Sequence, residues 1–277
     1  MAASDDEQAL NEGVNMRLGV IGLGSIGKRH VTNLLEMGGH DILGCDARLG
    51  TDGWMSGLTI HAVSSVGAVW DWEPEIVIIA TPPGSHYQLA RETLRNMAHC
   101  FIEKPIAMNV HDAKRLCTVA ENNKLHVAVG YQLLACPSVQ QFPKNWTHLH
   151  IWDRQNMARW PRASYTRDLL LEFSHEVSLA LFWAGSAPSQ TNIDWVNPAR
   201  CAMQLEWNDG RTAQIELNGN FDGYERGALS DHGSWTFDRE ENDEAYISEI
   251  KAFLHGVPYC TGYDAFQVLQ IMDKLVC

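Results

Sequence analysis

The chain has no run of apolar residues approaching the ~20 that a membrane-spanning helix needs. Basic residues are scarce: 21 Lys and Arg stand against 34 Asp and Glu, for a net charge of -13 over 277 residues. That balance argues against nucleic acid as the main partner, because phosphate binding relies on clustered Lys and Arg. The seven cysteines are scattered, odd in number and contain no C-x-x-C. Reduced thiols in a cytoplasm fit this better than a disulfide framework or a zinc site. There is no P-loop, no G-x-S-x-G and no internal repeat. The opening "MAASDDEQALNEGVN" lacks the basic start and apolar middle of a signal peptide. It reads as a disordered lead over residues 1–15, with the folded part starting at Met16. What is present is a globular composition, 45% hydrophobic and 20% charged, at a length that fits one large domain or two ordinary ones.

"MRLGVIGLGSIGKRHVTNLLEMG" begins with an apolar strand, Leu18 to Ile21, and continues into an amphipathic helix. Between them Gly22, Gly24 and Gly27 have G-x-G-x-x-G spacing. The first glycine allows the tight turn, the second lets backbone approach a pyrophosphate, and the third lets helix and strand pack closely. The helix start, at Ser25 and Ile26, then faces the phosphates. The next strand, "DILGCDA", ends at Asp46, about 20 residues on, where a carboxylate binds the ribose 2′-hydroxyl of NAD and repels a 2′-phosphate. Arg48 keeps NADP open as a lesser option. "PEIVIIATPPGSH" is an apolar strand running into a loop that carries Thr81, Pro82 and His86. Helix "YQLARETLRNM", strand "AHCFIE", helix "NVHDAKRLCTVAENN" and strand "KLHVAVGYQ" follow. Such alternation means a parallel sheet with helices on both faces. The division is 16–135 for a dinucleotide-binding Rossmann domain and 136–277 for a second α/β domain.

"FIEKPIA" places Glu103, Lys104 and Pro105 at the carboxyl end of a buried strand, on the edge shared with the glycine loop. A lysine there can donate to a substrate oxygen and stabilise developing charge, or act as a base if burial lowers its pKa. Taken alone it also reads as an ordinary surface lysine. "DLLLEFSHEVSLALFWA" has helical periodicity from Asp168 to Ala184. Glu172 and His175, three apart, share a face, so the carboxylate can orient the imidazole as a base; a solvent-facing pair has the same spacing. "RCAMQLEWNDGRTAQIELNGN" is a β-hairpin turning at Asp209-Gly210. "HGSWTFD" reads as a further strand, and two helices close the chain. His148 and His150 alternate on one strand face, a poor metal site without a third ligand, so no metal is expected.

"GLGSIGKRH", "ATPPGSHYQLA", "FIEKPIA" and "VAVGYQ", in this order, resemble the Gfo/Idh/MocA oxidoreductases, over roughly residues 16 to 140. The resemblance implies an NAD-binding Rossmann domain and a C-terminal α/β domain with an open, mostly antiparallel sheet. It implies Lys104 as catalytic or substrate-orienting, with Lys104-Pro105 a candidate cis bond, and His175 facing substrate and nicotinamide. Gly22, Gly24, Ser25, Ile26, Gly27, Asp46, Thr81, Pro82, His86 and Glu103 are the expected NAD contacts. Lys104, Tyr131, Trp160, Arg162, Tyr165 and His175 are the expected substrate contacts, although the loop residues among them read equally well as packing. Two departures stand out: "SYTRDLL" replaces the usual Gly-rich stretch, and Ser178 stands where an acid is common. The implied activity is NAD-dependent hydride transfer at a ring hydroxyl of a sugar or nucleotide sugar, envelope or sialic-acid-like. Lys104 and His175 both remain open as the base. The alternatives are a non-catalytic NAD or sugar sensor, or an enzyme with permanently bound NAD used for epimerisation or glycoside cleavage. A cytoplasmic homo-oligomer, joined through the C-terminal sheet, is expected, with no membrane or nucleic-acid partner.

Overall fold

The computed structural model describes residues 15–49, 60–156, 174–197 and 200–275. By its internal contacts the chain forms two compact units. One comprises residues up to Gly130 together with Tyr246–Phe266, and the other Tyr131–Ala245 together with Gln267 onward. The first unit is therefore not one continuous stretch; the chain leaves it and returns.

In the first unit the elements are β1 (Arg17–Ile21), α1 (Ser25–Met37), β2 (Asp41–Cys45), β3 (His61–Val63), α2 (Val66–Asp71), β4 (Ile76–Ile79), α3 (His86–Arg95), β5 (His99–Glu103), α4 (Val110–Asn122) and β6 (Val127–Gly130). The strands form one parallel sheet in the order β3-β2-β1-β4-β5-β6. The order reverses between β1 and β4, and in such sheets ligands bind at the carboxyl ends of the strands flanking that point. Apolar residues on both strand faces explain the burial: Leu18, Val20, Ile76 and Ile78 on one face, and Ile21, Val77 and Ile79 on the other, are withdrawn from water. Each buried side chain of this size contributes about 1.5–3 kcal/mol. Ile250, Phe253 and Leu254, from the returning segment, complete the same core. The Lys104-Pro105 bond is cis.

The second unit contains α5 (Pro137–Gln141), β7 (His148–Asn156), α6 (Ser174–Ala184), β8 (Gln190–Asn197), β9 (Arg200–Glu206), β10 (Thr212–Asn218), β11 (Asn220–Ser230) and β12 (Gly233–Thr236). Its sheet runs β12-β11-β7-β10-β9-β8; only β7 and β10 are parallel. The expected hairpin is β9–β10, with Met203 opposite Ile215, Leu205 opposite Ala213, and Gly210 at φ 89° in the turn. The closing helices are α7 (Arg239–Leu254) and α8 (Gly262–Asp273). The α/β class, with a Rossmann sheet and a second, mostly antiparallel one, is as expected. Among the described residues no helix is long and apolar enough to cross a membrane.

Candidate active site

The glycine turn is built by close approach. Gly22 sits at φ 92°, and a Cβ there would stand 2.7 Å from the Ala80 carbonyl oxygen. At Gly27 a Cβ would stand 1.7 Å from the Gly22 carbonyl oxygen. Both contacts bring α1 down onto the ends of β1 and β4. The Gly22 amide bonds the Cys45 carbonyl and the Ala80 amide bonds the Ile21 carbonyl, each at 2.8 Å, which locks the turn to β2 and β4. Gly24 differs: a Cβ there would meet nothing within 4 Å. It caps α1, whose first turn has no side-chain cap and no acidic residue. Unpaired backbone N–H groups and the helix dipole make such an end suited to a phosphate.

Gly24 opens onto a cavity of about 660 Å³. Gly22, Ser25, Ile26, Asp46, Thr81 and Pro82 line it, among others. Asp46 ends β2 and accepts from the Leu23 amide at 2.9 Å and the Arg48 amide at 2.8 Å. Burial works against its charge, but the hydrogen bonds from Arg48 and Leu23 outweigh that and hold the carboxyl below its ordinary range. The carboxylate is thus ionised and fixed at the rim, where it can accept from a hydroxyl.

Three of the expected cofactor contacts do not line this cavity: Gly27, which packs on Gly22, and Glu103 and His86. Glu103 turns its carboxylate onto His30, with Nε2 2.7 Å from Oε1. His86 is fully buried and bonds two carbonyl oxygens. Both flank Lys104, which is half-buried just past β5. His30 lies on the buried side of α1 with Val31 and Leu34; a polar residue among them is the sequence sign of a partner inside.

In the second unit, α6 is buried on nearly all sides. His175 is 5% exposed and meets the Tyr131 ring edge-on at 5.4 Å. The histidine is therefore not a solvent-facing residue. Ser178 spends its hydroxyl on the His175 carbonyl, at 2.7 Å. Trp160, Arg162, Tyr165, Asp168 and Glu172 lie outside the described residues. Next to His175, Glu176 reaches Arg226 on β11, which also pairs with Asp153 on β7. Sequence reading missed this cluster, because nothing in β11's composition marks Arg226 as an inward-facing strand residue. Among the described residues no group of three metal-ligating side chains occurs.

Residues 16–131 match the model of the Gfo/Idh/MocA oxidoreductase family, an NAD-binding Rossmann fold. UDP-N-acetylglucosamine 3-dehydrogenase from Acidithiobacillus ferrooxidans is 23% identical, over 92% of this chain and 95% of that one. Its crystal structure superposes with a TM-score of 0.80 at 21% identity, covering 95% and 97% of the two chains. The WlbA (WbpB) dehydrogenase from Thermus thermophilus, solved with NAD and UDP-GlcNAcA, gives 0.81 at 19% identity over 95% of each chain. At these identities the structures establish a shared fold.

Proposed function

We propose that this chain, whose residues 16–131 match the Gfo/Idh/MocA oxidoreductase family, is an NAD-dependent dehydrogenase of a nucleotide-linked sugar. The observation that carries the reading is the cavity at the switch point, where the open side of Gly24, the uncapped start of α1 and the ionised Asp46 converge. These groups fit a dinucleotide: Gly24 and Ser25 for the pyrophosphate, Asp46 for the adenosine ribose. A 2′-phosphate would be repelled by Asp46, which favours NAD over NADP. Bound there, NAD supplies a hydride acceptor at its nicotinamide ring.

The chain's own groups handle the oxygen and its proton. We assign Lys104 to the reacting oxygen, donating a hydrogen bond that strengthens as negative charge grows there. His175 is assigned as the base that takes the hydroxyl proton onto a ring nitrogen. Its burial beside Tyr131 holds the ring in one orientation. The nucleotide-sugar class is supported by the likeness to the A. ferrooxidans dehydrogenase, which runs over nearly the whole chain. Self-association is assigned to the second sheet, where His148, His150, Gln214 and Leu229 surround an open cavity of about 540 Å³; sedimentation velocity tests it, and a monomer at micromolar concentration contradicts it.

The test of the activity is NADH absorbance on mixing protein and NAD with free sugars, sugar acids and UDP-, GDP- and CMP-linked sugars. NADH with a UDP-sugar supports the reading. No NADH from any compound, despite measured NAD binding, moves the weight to a sensor or to a closed-cycle enzyme.

A further inference from the structure

A fully buried histidine stands on each side of Lys104. His30, on α1, holds the side chain of the preceding residue through the 2.7 Å contact with Glu103 Oε1. His86, at the start of α3, holds the backbone of the following residue: its Nδ1 is 2.7 Å from the Pro105 carbonyl oxygen. The other ring nitrogen of His86, Nε2, is 2.7 Å from the carbonyl oxygen of Thr81, which lines the cofactor cavity.

Glu103 ends β5 and Lys104 follows it directly, so pinning the Glu103 side chain steadies the backbone from which Lys104 extends. The carboxylate has little freedom, since it lies across Gly130, where a Cβ would stand 3.2 Å from both its oxygens. On the other side, His86 couples the Thr81 loop to Pro105. The ring thereby fixes the exit from β5 against the wall of the cavity.

We propose that His30 and His86 are positioning residues that bracket Lys104, with His86 bridging Thr81 and Pro105. The bracket gives Lys104 its function only if the assignment of Lys104 to the reacting oxygen holds, but it can be tested without turnover.

Two readouts test it on the full chain without substrate. In ¹⁵N spectra of protein labelled at histidine, with His86 assigned by the loss of its signals in His86→Gln, a ring N–H protected from solvent exchange is expected, as for a buried ring bonded to a carbonyl oxygen. A His86 ring N–H that exchanges as fast as that of an exposed histidine would overturn the bridge. Acetylation of Lys104 by acetic anhydride, followed by peptide mass spectrometry against the exposed Lys124, reads the aim of the side chain. His30→Ala and His86→Ala are each expected to change the Lys104 rate severalfold, because releasing the side chain alters its exposure to the reagent. The Lys124 rate should stay constant. His30→Gln, which keeps a donor for Glu103, should restore the rate. Unchanged Lys104 rates in both alanine variants would overturn the proposal. Failure of every sugar to yield NADH would instead overturn the proposed activity and leave these two results standing.

Discussion

The Arg226 guanidinium lies 3.0 Å, Nε to Oε1, from the carboxylate of Glu176, and that carboxylate is completely withdrawn from water. Asp153, equally buried, shares the same arginine. Burial opposes a charge on Arg226, but Glu176 and Asp153 more than offset it and raise the arginine's pKa above its ordinary value. The cluster ties α6 to β7 and β11 at the residue next to His175, so it sets both the stability and the register of that helix. Arg226→Met removes the guanidinium that the two buried carboxylates share. The expected loss is about 3–5 kcal/mol, read from urea unfolding. A loss below 1 kcal/mol would show that the cluster is not an anchor.

Glu249 carries the opposite electrostatic signature. Burial, and then the charge of Glu103, raise its pKa well above the ordinary carboxylate value. The sign follows from linkage: as pH rises above the ordinary glutamate value, the unfolded chain releases this proton and the folded one retains it. Folded stability is lost across that window, by at most about 1.4 kcal/mol per pH unit. Glu249→Gln removes the penalty, so its stabilisation relative to wild type should grow from pH 4 to neutrality. Chemical denaturation at several pH values checks this, and a difference independent of pH contradicts it.

On the proposed reading Asp46 separates the two dinucleotides, and Asp46→Ser removes a charge-assisted hydrogen bond to a ribose hydroxyl, worth about 1.5–3 kcal/mol. NAD affinity should fall roughly ten- to hundredfold, with NADP binding unchanged or tighter, as measured by fluorescence titration. Equal losses for both would mean that Asp46 does not face the 2′ position.

Gly24 and Gly27 should fail in different ways. Gly24→Val places its side chain in open space, so melting temperature should hold while NAD binding drops beyond detection. Gly27→Ala drives a methyl into the Gly22 carbonyl, so α1 must shift and melting temperature should fall as well. Thermal shift with and without NAD separates the two.

The first unit was legible because each strand is a short apolar run ended by a turn signal and each helix has a clear stripe. The glycine spacing and Asp46 located the cavity from sequence alone. β3 escaped notice because its three residues, His61–Val63, show no burial contrast. β11 escaped because a bulge between Asn220 and Tyr224 breaks its alternation. The family resemblance implies Glu103 and His86 as cofactor contacts, yet their side chains turn inward to His30 and to two carbonyls. Spacing shows that a residue sits at a strand end; it does not show which way a side chain turns when a buried partner competes for it. The return of Tyr246–Phe266 to the first unit was invisible for a related reason, since the apolar stripe of α7 does not say which core it fills.

The most direct test of the account is the pair of constants for Lys104→Ala, with the UDP-linked sugar that wild type oxidises best: turnover from NADH absorbance, and NAD affinity from fluorescence titration. The account predicts turnover lowered by about 10²–10³-fold, the size of a lost charge-stabilising donor, with NAD affinity within about threefold of wild type. Turnover and affinity falling by the same factor would contradict it, and would make Lys104 a cofactor contact rather than a group acting on the reacting oxygen.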